Sequence, residues 1–569
     1  MINRDGAGQY FAVAFPALLA APLLYILRAL DGNALTSWRW VFAGAGVGKI
    51  YALTALGVLL SYFFSKASLP ERRPLIFLLG LSFLVALPLR AEPEVIPDAS
   101  RYFVQAKYLE LYGVEYFVRE WGKTIGAWTD MPVVPFLYGL IFKFFGETRT
   151  YIQLFNALLF SATIVLTYLT GKALYGERQG FYAGLLLTAI PYLPTQVPLM
   201  LVDIPAMFFL TLSIYTFTKA IEKGGLVWPG TASAAVFLTT FSKYSTWPML
   251  SVLAVISCVS LRGRTREVAG RTAVIAGLTA VLCGMFFLAK LDVLFEQLDM
   301  LKAYQWPGLL RWQEGYISTF LFQTHPFVTA LSLFGAFAAF KNKDRRFLVA
   351  AWFVLLVVVF RMNRVRYVLP MLPLFTLMAS YGLCVVKDGR LARFIAYSAA
   401  ASSLVILFCA YLPFLDGMSA ANLKDAGVYL DSLPCESVEV YALPQPVSDG
   451  NTEAAVPVLD LFTSKRLVYR GAKPGLPAKD GIEKSSLRFT WELKMPDFYS
   501  GTDKDAGLPL VVISGEAAAA AASPEMRDYA ASRGLKTGPA AVFLKSSGVF
   551  RYKTFVTIFS EGCLSGKVQ

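Results

Sequence analysis

Residues 347–386 read FLVAAWFVLLVVVF, then RMNRVR, then YVLPMLPLFTLMASYGLCVV: two uncharged apolar runs around six residues that carry Arg361, Arg364 and Arg366. A membrane-crossing helix needs roughly 20 apolar residues, or about 17 when its ends snorkel. This stretch is therefore read as two spans joined by a short basic loop, and the rest of the chain has the same texture. Of 569 residues, 56% are hydrophobic and 16% charged, and the mean hydropathy is +0.53, outside the soluble globular range. With this pair, spans are expected near 9–29, 41–64, 74–90, 151–170, 179–197, 204–221, 229–241, 246–261, 272–290, 326–340, 347–360, 367–386 and 394–415, thirteen in all. The opening Met1-Ile2-Asn3-Arg4-Asp5 is not read as a cleavable signal, because no small-residue cleavage site follows the first apolar run.

One His and six scattered Cys leave too few ligands for a multi-His metal site or a CxxC pair. The net charge of +14 does not indicate nucleic acid, because inner loops of membrane proteins collect Lys and Arg for topological reasons. Such loops carry Lys66, Arg72 and Arg73; Lys172 and Arg178; Arg262, Arg264, Arg266 and Arg271; Lys341, Lys343, Arg345 and Arg346; and Lys387, Arg390 and Arg393. Taking these as cytoplasmic puts the N-terminus inside, and the segments 91–150, 291–325 and 416–569 outside. Alternation also puts Arg361, Arg364 and Arg366 outside, where short loops are poor in arginine. An anionic partner is expected for them, and arginine's planar fork suits phosphate. The competing readings are a snorkelling anchor at outer-leaflet headgroups and a miscounted span.

The outer loop 91–150 is too long for a connector. Pro97-Asp98-Ala99-Ser100-Arg101-Tyr102 precedes an amphipathic stretch to Gly113, and Thr129-Asp130-Met131-Pro132 opens the apolar run Val133 to Phe145. That run is too short to span and reads as an interfacial or re-entrant helix. A third acid, Asp203, lies in Leu201-Val202-Asp203-Ile204-Pro205 between two spans, and Lys243 lies in the outer break Ser242-Lys243-Tyr244-Ser245. Each of the three aspartates precedes a helical segment, and capping is the commoner job for one alone. Three on one face, with the arginine loop, favour a site. An acid and several cations there suit group transfer from a lipid-linked phosphate: the carboxylate accepts the proton of an attacking hydroxyl, and the cations stabilise the departing phosphate. A phosphate leaving group needs no protonation, so the second carboxyl of glycoside hydrolases is dispensable and a single displacement inverts the sugar carbon.

These stretches carry a resemblance. Asp98-Ala-Ser-Arg-Tyr102, Asp130-Met-Pro132 leading into Phe136–Gly146, Gly171-Lys-Ala-Leu-Tyr-Gly176, Leu201–Pro205 and Arg366-Tyr-Val-Leu-Pro370-Met-Leu-Pro373 resemble, in order over residues 75–415, the motifs of the GT-C membrane glycosyltransferases of the protein mannosyltransferase and lipid A aminoarabinose transferase type. The two helices before residue 65 look like an addition. The resemblance implies a polyprenyl-phosphate sugar donor and a glycan, lipid or protein acceptor. It implies Asp98 as catalytic base with Arg101 beside it, Asp203 at the cavity edge and the Arg361 to Arg366 loop facing the donor phosphate. Tyr102, Asp130 and Lys243 join the expected substrate-binding set. The family often has Asp-Glu where this chain has Asp98-Ala99, and Asp-Lys-Pro-Pro where it has Asp130-Met131-Pro132-Val133. The first departure weakens the case for a divalent metal, which stays open with no ligand assigned. The second removes a phosphate-clamp lysine, for which Lys243 or Lys123 are the candidates.

Gly44-Ala-Gly46-Val-Gly48-Lys49-Ile50 lacks the first Gly and the Ser/Thr of a phosphate loop and is rejected as a nucleotide site. His325, before Pro326 at a helix start, is read as structural in preference to a ligand. Tyr304, Trp306, Trp312 and Tyr316 are read as an interfacial belt in preference to a sugar platform. Residues 416–569 carry short β-like runs at Val438–Leu443, Leu508–Ile513, Ala541–Leu544 and Phe550–Phe559, with helical text at Ala420–Leu430 and Pro524–Arg533. Cys435 and Cys563 lie outside the spans, where a disulfide is compatible with an oxidising compartment.

The expected fold is thus a polytopic α-helical membrane protein of GT-C type with about 13 transmembrane helices and a small C-terminal α/β extracytoplasmic domain. Its expected divisions are 1–73, the added helices; 74–415, the transferase; and 416–569, the outer domain. It is expected in a bacterial cytoplasmic membrane, with the C-terminal domain periplasmic, contacting membrane lipids and no nucleic acid. The rival readings are a transporter or flippase of lipid-linked saccharides, disfavoured by charges on one face and the lack of paired halves, and a non-catalytic scaffold in which Asp98 is only a cap.

Overall fold

A computed structural model describes residues 4–33, 36–67, 69–91, 98–261, 264–305, 314–416, 421–443, 450–470, 487–501, 508–515, 528–529, 532, 539–543 and 554–560. A helix lies within every one of the thirteen expected spans. Among the described residues seven are long and apolar enough to cross a membrane: Gly8–Leu30, Val47–Phe64, Arg149–Leu174, Asp203–Lys223, Thr265–Ala289, Val365–Cys384 and Gly389–Leu415. Shorter apolar helices include Pro74–Arg90, Val133–Phe145, Thr246–Ser260 and Phe347–Val359. Helices in lipid gain little by burying apolar surface against one another, since lipid tails are as apolar as leucine, so close backbone approach carries much of their packing. Gly335 and Gly382 make one such crossing, where a Cβ on Gly335 would stand 2.2 Å from the Met378 carbonyl oxygen.

The expected span 179–197 is corrected. Its helix is Glu177–Thr188, and residues 189–202 form turns and a short 3₁₀ segment, all buried. Pro191, Pro194 and Pro198 remove N–H donors and forbid a continuous helix. Irregular backbone buried this way needs side-chain partners. Arg149 donates to the Pro198 carbonyl at 2.9 Å, Asn156 to Leu199 at 2.9 Å, and the Tyr138 hydroxyl to Leu201 at 2.7 Å. The segment is thereby fixed up to Asp203, the first residue of the next helix.

The basic loops gather at one end of the bundle. Arg393 pairs with Glu71 at 3.2 Å, Tyr182 donates to Glu71 at 2.7 Å, Arg178 reaches the Val386 carbonyl, and Tyr175 reaches that of Arg346. At the other end the segment 98–150 folds as Ala99–Glu120, broken at Gly113 (φ 87°), and Val133–Phe145. Against it packs a five-stranded sheet of β1 (Ser437–Ala442), β2 (Arg466–Tyr469), β3 (Leu510–Ser514), β4 (Ala541–Phe543) and β5 (Phe555–Phe559), in the order β2-β1-β3-β5-β4. β1 runs parallel to β2 and β3, and β5 antiparallel to β3 and β4. Helix Ala421–Asp431 meets the expectation for 420–430; β2 and helix Ala455–Asp460 were not expected. Most of 524–533 and Cys563 lie outside the described residues, and Cys435 has no disulfide partner among the described ones. One apolar core joins the segment 98–150 to the sheet, running through Phe103, Val134, Phe142, Met200, Leu459, Val440 and Val511.

Candidate active site

Three helix starts and two loops bring the predicted charges to the end opposite the basic loops. Asp98 precedes Ala99–Glu120 but its side chain makes no capping hydrogen bond. Its Oδ2 accepts from Arg366 Nη1 at 3.0 Å, and Oδ1 faces Arg101 Nη2 at 3.8 Å. The same Arg101 nitrogen donates to Asp130 Oδ1 at 3.1 Å. Arg366 also holds Asp203, with Nη2 2.9 Å and Nε 3.3 Å from Oδ2. Lys243 Nζ lies 2.5 Å from Asp203 Oδ1 and 3.3 Å from the Arg366 carbonyl. The result is an unbroken alternation, Asp130, Arg101, Asp98, Arg366, Asp203, Lys243, with three charges of each sign. None of the three aspartates caps its helix; each is an ion-pair partner.

The supports explain the rigidity. Gln105 Nε2 donates to Asp130 Oδ2 at 3.3 Å, and Gln297 Nε2 donates to the Asp130 carbonyl at 2.8 Å. Tyr244 in turn holds Gln297 at 2.6 Å. Burial raises the Asp130 carboxyl to about 6 despite Arg101. Burial opposes ionisation of Asp98 as well, but Arg101 and Arg366 outweigh it and hold that carboxyl below its ordinary range. For Lys243 burial wins over Asp203 and lowers the ammonium. The Tyr102 hydroxyl, buried beside Asp130, is pushed up.

The arginine loop divides. Arg366 enters the network and Arg364 pairs with buried Glu314 at 3.1 Å, whose other oxygen accepts from Val365 N at 3.1 Å. Arg361 is exposed, at φ 49°, and makes no ion pair among the described residues. The expected anionic partners are therefore protein carboxylates for two of the three arginines. Glu314 was missed, although it is the only acid between Asp299 and Asp344. Of the two candidate lysines, Lys243 is in the network and Lys123 is exposed away from it. His325 is structural: its Nδ1 accepts from Phe327 N at 3.3 Å and its Nε2 meets Ser402 Oγ at 3.1 Å. Tyr304 departs from the belt reading, being buried against Trp128 and Arg488. Trp306 and Trp312 lie outside the described residues. Among those residues no group of three His, Cys, Asp or Glu is arranged to hold a metal ion.

A second polar cluster pins the C-terminal sheet region to the segment 98–150. Lys107 Nζ lies 2.7 Å from Asp460 Oδ2 and 2.9 Å from Glu147 Oε1, and the Tyr499 hydroxyl donates to Asp460 at 2.6 Å. Burial raises Asp460 from 3.8 to about 6, more than Lys107 lowers it. The folded chain thus keeps a proton here that the unfolded chain has released, and the stability it contributes is full below about pH 4 and lost as pH rises through about 6. The thermal midpoint of wild type relative to Asp460→Asn, measured from pH 4 to 7, should fall across that window by on the order of 3 kcal/mol in stability terms. An unchanged difference would contradict the assignment.

Residues 129–288, just over a quarter of the chain, match the model of the dolichyl-phosphate-mannose-protein mannosyltransferase family. No curated protein matches by sequence. ArnT from Cupriavidus metallidurans, in its structure bound to undecaprenyl phosphate, superposes with a TM-score of 0.54 at 13% identity, over 85% of this chain and 97% of that one. The chain has the GT-C fold. AglB from Archaeoglobus fulgidus, an archaeal oligosaccharyltransferase in complex with an inhibitory peptide and a dolichol-phosphate, superposes at 0.50 and 12% identity, over 78% of this chain and 70% of that one. The matched family segment contains Asp130, Asp203 and Lys243, while Asp98 and Arg366 flank it and reach the network through space.

Proposed function

We propose that this chain is an inverting membrane glycosyltransferase, moving a sugar from a polyprenyl-phosphate donor to a hydroxyl acceptor at the outer face of a bacterial cytoplasmic membrane. One observation carries the reading: Asp98 Oδ1 is the network's only carboxylate oxygen without a hydrogen bond among the described residues. Asp98 is also the least covered of the three aspartates, 18% exposed against 3% for Asp130 and 1% for Asp203. An ionised, reachable oxygen beside fixed cations is what a base for an attacking hydroxyl needs. The acceptor oxygen bonds to the sugar's anomeric carbon as its proton passes to Asp98 Oδ1. The bond from that carbon to the phosphate oxygen breaks, and its electron pair leaves with the polyprenyl phosphate.

Arg366 and Lys243 receive that charge. Arg366 has five N–H donors and uses three on Asp98 and Asp203, and Lys243 has three and uses two, so both keep donors for phosphate. Asp203 aligns the two cations, and Glu314 holds Arg364 so that Arg366 is aimed inward. Lys243 takes the place of the lysine absent at Met131. The gathering of basic loops at the opposite end supports a cytoplasmic position for that end and a periplasmic one for the domain 416–569. The division into 1–73, 74–415 and 416–569 follows the same logic, and the acceptor is a lipid, a glycan or a protein. The test is donor consumption and sugar transfer by the purified chain in lipid with a panel of polyprenyl-phosphate sugars. Consumption with transfer supports the reading; no turnover with any donor overturns it.

A further inference from the structure

Arg101 is held in an unusual way. Its Nη2 serves Asp130 at 3.1 Å and stays 3.8 Å from Asp98, outside hydrogen-bond reach, while its buried Nε has no hydrogen-bond partner among the described residues. What restrains the guanidinium is a ring face: Arg101 Cζ stands 4.4 Å from the centroid of Phe489, a residue of the outer domain that is only 6% exposed. The Phe489 segment is itself anchored on both sides. Thr490 Oγ1 accepts from Asn451 N at 2.8 Å within the outer domain. Arg488 N donates to the Tyr304 hydroxyl at 3.2 Å, and Tyr304 meets Trp128 edge-on at 5.8 Å, two residues before Asp130. Trp128 lies in the left-handed region at φ 48°, a conformation that needs support from its surroundings.

We propose that Phe489 is a positioning residue for the transfer reaction, and that the outer domain is in this sense part of the active site. The inference rests on the transferase reading. Stacking on Phe489 fixes the plane of Arg101, so that the cation binds Asp130 and leaves Asp98 Oδ1 open to the acceptor proton. Without the ring, Arg101 can close onto Asp98 and occupy the lone pair that must take that proton. It would also hold the Asp98 carboxyl lower.

Phe489→Leu keeps the apolar volume and removes the ring face; Phe489→Trp keeps the face. In lipid, Phe489→Leu should lower kcat by about 3- to 30-fold, the range a desolvated cation–π contact supports, with the donor KM unchanged. Its acid limb in kcat/KM against pH should move to lower pH, and Phe489→Trp should restore both. A purely structural role would change the thermal midpoint and leave the pH limb in place. Wild-type kcat and pH profile in Phe489→Leu, or equal impairment in both variants, would overturn the proposal. If the wild type itself turns over no donor, the transferase reading fails instead. A thermal-unfolding double-mutant cycle of Phe489→Leu with Arg101→Gln then decides the contact, non-additivity supporting it and additivity overturning it.

Discussion

Replacing Asp98 by Asn is expected to reduce sugar transfer by about 10²- to 10⁴-fold while donor binding persists. Asn keeps the size of the side chain and an oxygen for Arg366 Nη1, now 3.0 Å away, but cannot take the acceptor's proton. The usual confound is absent, because Asp98 makes no capping hydrogen bond that the substitution could weaken. Asn does leave the network with two carboxylates against three cations, so the thermal midpoint should fall, and the loss of transfer should be read as kcat of the folded protein. Asp130→Asn provides the contrast. Asp130 is covered and its two oxygens are bonded to Arg101 and Gln105, so its loss should loosen Arg101 and lower the rate by less. Equal transfer by wild type and Asp98→Asn would remove Asp98 from the base role, and an equal or larger loss in Asp130→Asn would shift that role to Asp130.

What the sequence made legible was what is encoded locally. Apolar run length is a property of some twenty neighbouring residues, and each expected span met a helix. The run at 179–197 was over-read because Pro191 and Pro194 within it and Pro198 just after it were weighed less than its hydropathy, and the buried turns that resulted lead into Asp203. Asp98, Asp130, Asp203, Lys243 and Arg366 could be singled out from loop text and motif order. Their pairing could not: Asp98 and Arg366 are 268 positions apart, and Lys243 and Asp203 are 40. Nor could the sequence separate three arginines in six residues. Arg361 ends one helix in a left-handed turn and is exposed, whereas Arg366 lies within the turn Val365–Val368 that opens the next. β2 was missed because Arg466-Leu-Val-Tyr469 holds too short an apolar run to register. Phe489 carries no local signal at all, since its partner is a cation 388 positions earlier on another element.

Arg366 should be the substitution with the widest consequences, because it alone joins Asp98 to Asp203. Arg366→Met leaves the network with three carboxylates and two cations, all largely buried. Removing one partner of a buried charge group costs about 3–5 kcal/mol, chiefly through the charge left behind, so the thermal midpoint should fall steeply and transfer should vanish. Stability and chemistry can then be separated. Arg366→Met combined with Asp203→Asn restores two charges of each sign and should recover much of the stability, yet transfer should stay down by at least about 10²-fold, the scale of losing one preorganised donor to a developing anion. Arg366→Lys tests the fork itself. A lysine keeps the charge, but its single nitrogen cannot reach Asp98 and Asp203 as the guanidinium does while still presenting a donor to phosphate, so it should fold and transfer slowly, with weaker polyprenyl-phosphate binding. If the neutralised double variant regained transfer along with stability, Arg366 would be a structural counterion, and the phosphate clamp would have to be sought in Lys243 alone.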